Sequence, residues 1–300
     1  MSALLLLIIC LVLGVLVARV GRPPPGLSQG LNWWVINIAF SGLVLHLIPT
    51  LRFDWQFWFL VASMWLVFLG AWALFATLGR VLHWSRARIG GLTLVCGLGN
   101  TSFIGFPLIE ALRGEEGVKL ALVADQLGCF LALGVGGTIV AALYSGKSAG
   151  AAAVARRVLT FPPLVALAIG VVAATFGGWP QPLDAIFERL GATLVPIALF
   201  SVGLQLRLQF QRGQAGAVAL ALGWKLLLAP LLVWLAGLAI GVSDAILTIA
   251  VLQAAMAPMI TAAVLAEQND LEPQLANTVL GLGIVLSLMS VPLADRLLGP

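Results

Sequence analysis

The chain has 300 residues, 61% of them hydrophobic and only 9% charged, and a formal net charge of +4. A soluble domain carries about 25% charged residues, so a water-soluble globule is excluded and a lipid-embedded protein is implied. The basic residues are scattered one to three per loop and form no stripe, which excludes a nucleic-acid surface and makes their distribution a reporter of orientation.

A membrane-crossing helix needs about 20 mostly apolar residues. Ten such stretches follow in chain order: 2–20, 30–50, 56–79, 88–112, 117–143, 160–178, 185–206, 213–238, 243–266 and 273–297. The first, Met1 to Val17, is free of charge, and Arg19 and Arg22 follow it. A cleavable signal peptide puts its basic residues first, so this stretch reads as a span with its N-terminus outside. Gly21-Arg22-Pro23-Pro24-Pro25-Gly26 and Gly177-Gly178-Trp179-Pro180 carry turn chemistry between spans. The connections are short and leave no room for a sizeable soluble domain. The charge run Glu110, Arg113, Glu115 and Glu116 reads as a solvated connection. Tryptophans such as Trp33, Trp34, Trp55, Trp58, Trp84 and Trp179 flank the spans, as an aromatic belt does.

Loops 1, 3, 5 and 7 hold ten basic residues: Arg19, Arg22, Arg80, Arg86, Arg88, Lys147, Arg156, Arg157, Arg207 and Arg212. The opposite side holds five: Arg52, Arg113, Lys119, Arg189 and Arg296. The excess puts the odd loops in the cytoplasm and both termini outside a plasma (inner) membrane.

A shift of 155 residues lays helix 2 on helix 7, helix 3 on helix 8 and helix 4 on helix 9, with Leu51-Arg52 over Leu206-Arg207 and Ala111 over Ala266. The halves are therefore 1–145 and 156–300. Five helices per half force the second copy upside down, and inverted repeats mark secondary transporters that work by alternating access. Two spans are interrupted at matching depth. Helix 4 reads Gly97-Leu98-Gly99-Asn100-Thr101-Ser102-Phe103-Ile104-Gly105-Phe106-Pro107, and helix 9 reads Gln253-Ala254-Ala255-Met256-Ala257-Pro258-Met259-Ile260-Thr261. Glycine and proline weaken the helical ladder there. A half-helix starting in mid-membrane offers free N–H groups and a positive dipole end to a carboxylate. Asn100, Thr101 and Ser102 add hydroxyl and amide groups to such a site, with Gly105, Pro107, Gln253 and Pro258 around it. Ordinary kinked helices with small residues for close packing are the plainer alternative.

The motif Asn100-Thr101-x-x-x-Gly105-x-Pro107-Leu108, with Leu265-Ala266-Glu267 after the proline-containing break of the second half, resembles the auxin efflux carrier family over essentially the whole chain. That family includes plant carriers and bacterial permeases for malonate and malate. The resemblance implies an all-α fold similar to sodium/proton antiporters, with helices 4 and 9 crossing at their breaks. It implies a scaffold of helices 1, 2, 6 and 7 (1–50 and 160–208), dimeric through those helices. It also implies a moving transport unit (55–145 and 212–298). Two positions depart from the family pattern. Ala257 stands where relatives often have proline, and helix 3 lacks the Asp and Lys of the plant carriers, which argues against auxin itself.

Two ionisable residues fall well inside spans, Asp125 in helix 5 and Lys225 in helix 8. Each costs about 2.5–3.5 kcal/mol at a helix centre. Asp125 reads as a proton or ion-coupling carboxylate, and Lys225 as its partner or as a partner of the anionic substrate; a structural ion pair between helices 5 and 8 is the alternative. Gln126 beside Asp125 and Asn277 in helix 10 are further coupling candidates, for which interhelical hydrogen bonding is the competing role.

The expected activity is secondary transport of a small organic anion, coupled to protons or sodium. A drug/metabolite-type exporter is the alternative, although that design does not need matched broken helices. A non-transporting membrane receptor is another. An intramembrane enzyme is not expected, because there is no Gly-x-Ser-Gly nucleophile with a membrane histidine and no aspartate pair; His46 lies near a span end and His83 in a loop. Cys10, Cys96 and Cys129 read as packing residues. No cofactor or metal is expected, since no His/Cys/Asp cluster has ligand spacing.

Overall fold

The computed structural model describes residues 2–21, 23–52, 54–146, 150–206 and 213–299. Of the loop cations used for orientation, Arg22, Lys147, Arg207 and Arg212 lie outside the described residues, as does the side chain of Arg157. The described residues form helices and their connections, with a single isolated β-bridge.

In chain order the helices are α1 (Ser2–Arg19), α2 (Leu27–Thr50), α3 (Phe57–Val81), α4 (Arg86–Gly97), α5 (Gly105–Ser145) and α6 (Ala151–Leu159). They continue with α7 (Pro162–Thr175), α8 (Gln181–Gln205), α9 (Ala215–Ile240), α10 (Asp244–Ala254), α11 (Ile260–Gln268) and α12 (Pro273–Leu298). Six of them, α2, α3, α5, α8, α9 and α12, are long and apolar enough to cross a membrane. Three more, in α1, α7 and α10, are apolar but shorter.

Local chemistry explains the ends. Ser85 caps α4 by accepting the Arg88 N–H at 3.0 Å. Pro162 and Pro273 occupy first helical positions, where a missing N–H is harmless. Gly241 closes α9 with φ 74°, a torsion that suits glycine.

The structure locates two interruptions. The span expected at 88–112 ends at Gly97 and restarts at Gly105. The charge run read as a solvated connection holds a break at Gly114, and Glu110, Glu115 and Glu116 in it are exposed. Gly114, at φ 66° and ψ −167°, is not helical, so two helical segments meet at a kink there within Gly105–Ser145. Lys119 is buried, with its ammonium held 3.1 Å from Glu115 and 2.7 Å from Glu116. These i,i+4 and i,i+3 pairs support the helical turn just after the bend.

The chain divides into two compact units. The first comprises 1–54, 102–122 and 155–206, and the second 55–101, 123–154 and 207–300. In the first unit α1 packs along the second half of α8. Gly14 and Gly203 face each other there, so a Cβ at Gly203 would meet the Leu11 carbonyl and one at Gly14 the Phe200 carbonyl. Small residues allow this backbone approach, the usual basis of helix association in lipid. Within the same unit His46 Nδ1 and Asp184 Oδ1 lie 2.8 Å apart. In the second unit α3 is the central element. It packs on α4, α9 and α10 and buries Phe59, Leu60, Met64, Phe68, Ala71 and Phe75.

Candidate functional site

The two chain breaks of the second unit lie against each other. After α4, Leu98 adopts an extended conformation, and before α11 so does Met259. Asn100 N donates to Ala257 O at 2.7 Å, and Met259 N donates to Leu98 O at 3.0 Å. Gly99 and Pro258 therefore face each other as an antiparallel pair that makes no hydrogen bond of its own. That slot is where proline's missing N–H costs nothing. Glycine fits closely opposite: a Cβ at Gly99 would lie 3.2 Å from Lys225 Nζ and 3.3 Å from Gln253 O, a tight approach.

Buried polar side chains gather around this pairing. Asn100, Thr101, Asp125, Gln126, Lys225 and Gln253 are each no more than 3% exposed. The Thr101 hydroxyl donates to Asp125 Oδ1 in a short hydrogen bond, and Gln126 Nε2 donates to Asp125 Oδ2 at 2.7 Å. Gln253 Nε2 reaches the Thr101 carbonyl at 3.5 Å, which ties one break to the other. Lys225 Nζ donates to Ala254 O, the carbonyl at the end of α10, at 2.9 Å. The Cys129 thiol donates to Gly99 O at 3.4 Å.

Both intramembrane charges stand in π-helical turns, Asp125 in Ala124–Cys129 and Lys225 in Trp224–Leu228. A π turn inserts one residue into the helical ladder, shifts the register of the side chains that follow, and is frequent at functional sites. Gln126 Oε1 is buried without a hydrogen-bond partner among the described residues. An acceptor in that state suits a solute or water.

The sequence-derived candidates sort as follows. Asn100, Thr101, Asp125, Gln126, Lys225, Gln253 and Pro258 belong to this one cluster. Asn277 is half-buried on α12 and makes no described bond to it. Ser102, Gly105 and Pro107 fall in the first unit. There Pro107 lines a cavity of ≈ 350 Å³ together with Phe106, Leu47, His46, Glu110 and Glu188. The sequence reading missed Cys129, taken only as packing, and the carbonyls of Leu98, Ala254 and Ala257. Backbone groups leave no residue-type signal, and the π turns have none either.

A family model described as a membrane transport protein matches residues 1–294. The chain is 30% identical over 219 residues to an uncharacterized transporter of Methanothermobacter thermautotrophicus, covering 70% of each chain. It is 29% identical over 123 residues to an uncharacterized transporter of Methanocaldococcus jannaschii, covering 40% of this chain and 39% of that one. With its apolar helices and buried polar cluster, the chain belongs to the membrane transport protein family, that of the auxin efflux carriers, and is a multi-pass membrane transporter.

Proposed function

We propose that this transporter is a secondary carrier of a small carboxylate, working by an elevator-like alternating access of the unit that holds the paired breaks. The observation that carries the reading is the pairing of Leu98–Asn100 with Ala257–Met259 inside a buried polar cluster. The break starts a half-helix, α11, at Ile260. Its first N–H groups have no helical acceptor and carry the positive dipole end, which favours an anion. Asn100, Thr101, Gln253 and the half-helix end hold the carboxylate in this reading, with Pro258 shaping the break. Asp125 carries a coupling proton, with Gln126 beside it.

The ten-span inverted repeat draws support from register and from the loops that meet. α5 starts at Gly105 and α11 at Ile260, 155 positions apart, and the bend at Gly114 falls opposite the turn at Asn269 in the same shift. In the second unit, bonds join loops 3, 5 and 9 through Arg88–Glu272 and Ser145–Asn269, and loops 2 and 8 through Gln56–Ser243. In the first unit His46–Asp184 joins loops 2 and 6. Odd loops meet odd loops and even meet even, as alternating spans require. We place the protein in the plasma membrane with both termini outside, as a dimer through the unit containing α1, α2, α7 and α8.

The test is the thermal unfolding midpoint of purified protein with malonate, malate, succinate, indole-3-acetate and neutral controls, alongside Asn100→Ala. A ligand of the native state adds about 2.7 kcal/mol at a hundred times its Kd. A rise with one acid, lost in Asn100→Ala, is the expected result. No rise with any anion into the millimolar range would overturn the carboxylate assignment.

A further inference from the structure

The second break leaves a helix end inside the membrane-embedded unit. The Ala254 carbonyl ends α10, where that helix's dipole is negative, while Val251 O and Gln253 O accept from the Ala255 and Met256 N–H groups. In transporters built on discontinuous helices, unwound carbonyls and half-helix C-termini of this kind coordinate a free sodium ion or proton. Here Lys225, only 1% exposed, donates from Nζ to Ala254 O at 2.9 Å. The fit is close. A Cβ at Gly99 would lie 3.2 Å from Lys225 Nζ and 3.3 Å from Gln253 O. The ammonium thus sits between the end of α10 and the extended backbone of the other break.

Two features put it there. The π turn Trp224–Leu228 sets the register of α9 at this depth, with Trp224 against Gly70 of α3 and Lys225 toward α10. The four-carbon stem of lysine then spans the gap from α9 to the helix end, which a shorter cation could not do.

We propose that Lys225 is a tethered cation: its ammonium occupies the monovalent-cation site at the C-terminus of α10, so that the protein needs no free sodium there. This rests on the reading of the paired breaks as the transport site, but not on a carboxylate being the solute. A charge fixed to the protein cannot be released, so it travels with the unit in both directions of the cycle. Removing the side chain exposes a carbonyl-lined site of the size and charge that a small monovalent cation fits.

The experiment compares wild type, Lys225→Ala and Lys225→Met by thermal unfolding in choline, sodium, potassium and methylammonium chlorides at one ionic strength. No organic anion is present, so the outcome is independent of the solute assignment. Wild type is expected to give one midpoint in all four salts. Lys225→Ala is expected to drop by more than about 3 °C in choline and to recover at least half of that loss, saturably, in methylammonium or sodium. Lys225→Met, which fills the place without a charge, is expected to drop and not to recover. A midpoint of Lys225→Ala that is equally low in every salt would overturn the inference. So would a sodium-specific rise in wild type, or Lys225→Met as stable as wild type. If the alanine variant does not fold, the wild-type and methionine results decide on those same terms.

Discussion

Gly99 and Pro258 stand opposite each other at the centre of the paired breaks, and neither bonds to the other across the pair. The flanking bonds, Asn100 N to Ala257 O and Met259 N to Leu98 O, do the pairing instead. Each residue type fits its slot for a different reason. Proline can fill it because no N–H is needed there, and glycine suits it because a Cβ would crowd Lys225 Nζ and the Gln253 carbonyl.

Pro258→Ala should separate stability from transport. Proline is about 3 kcal/mol worse than alanine in a helix interior, so the substitution favours joining α10 to α11 across the break. The unfolding midpoint is expected to stay level or rise, while the initial uptake rate in proteoliposomes falls at least about tenfold (about 1.4 kcal/mol at the transition state). Uptake at the wild-type rate would show that the break does not depend on Pro258.

Thr101→Val tests the bond that fixes the Asp125 carboxylate. The hydroxyl donates to Asp125, and a hydrogen bond to a charged group is worth about 1.5–3 kcal/mol. Valine keeps the shape and removes the donor, so the midpoint should fall, and Thr101→Ser should restore most of it. Equal midpoints for valine and serine would mean that the side-chain volume, not the bond, matters at this position.

How much of this was legible in the sequence depended on which chemistry carried the signal. Both breaks were visible, because Gly97, Gly99, Gly105, Pro107 and Pro258 interrupt apolar runs at matching places in the two halves. Asp125 and Lys225 were visible as charges in lipid-length segments. Where Lys225 points was not, because its acceptor is the backbone carbonyl of Ala254, 29 residues away. The break at Gly114 falls in the run of Glu and Arg that read as a connection, but the pairing of buried Lys119 with the exposed Glu115 and Glu116 gave no separate signal. The pairing of His46 with Asp184, 138 positions apart, has no local pattern at all.

In the first unit, Gly203→Leu should destabilise the protein strongly. A side chain there runs into the Leu11 carbonyl and lies 2.9 Å from the Gly14 Cα, and neither backbone can yield as a flexible side chain would. Overpacking costs about 1–3 kcal/mol even among side chains. The expected readout is a lower yield of monodisperse protein and a lower midpoint. Gly30→Ala, at a position where nothing approaches the added Cβ, serves as a neutral control.

In the second unit, Glu272 ties two helix starts together. Its carboxylate accepts from Arg88 Nε at 3.0 Å and from Ser85 Oγ at 2.9 Å. Arg88 and Glu272 side chains are 29% and 24% exposed, so the ion pair is worth no more than about 1 kcal/mol and weakens in salt. Glu272 also sits at φ 46°, a left-handed torsion that costs a non-glycine residue about 1–3 kcal/mol. With Arg88 intact, Glu272→Gly loses the pair but relieves the strain, and the two effects oppose each other. With Arg88 already changed to alanine, only the relief and the lost Ser85 bond remain. The double variant Arg88→Ala/Glu272→Gly should therefore unfold at a higher temperature than Arg88→Ala alone, by about 1–3 °C. A lower midpoint for the double variant would mean that the hydrogen bond from Ser85 outweighs the backbone strain.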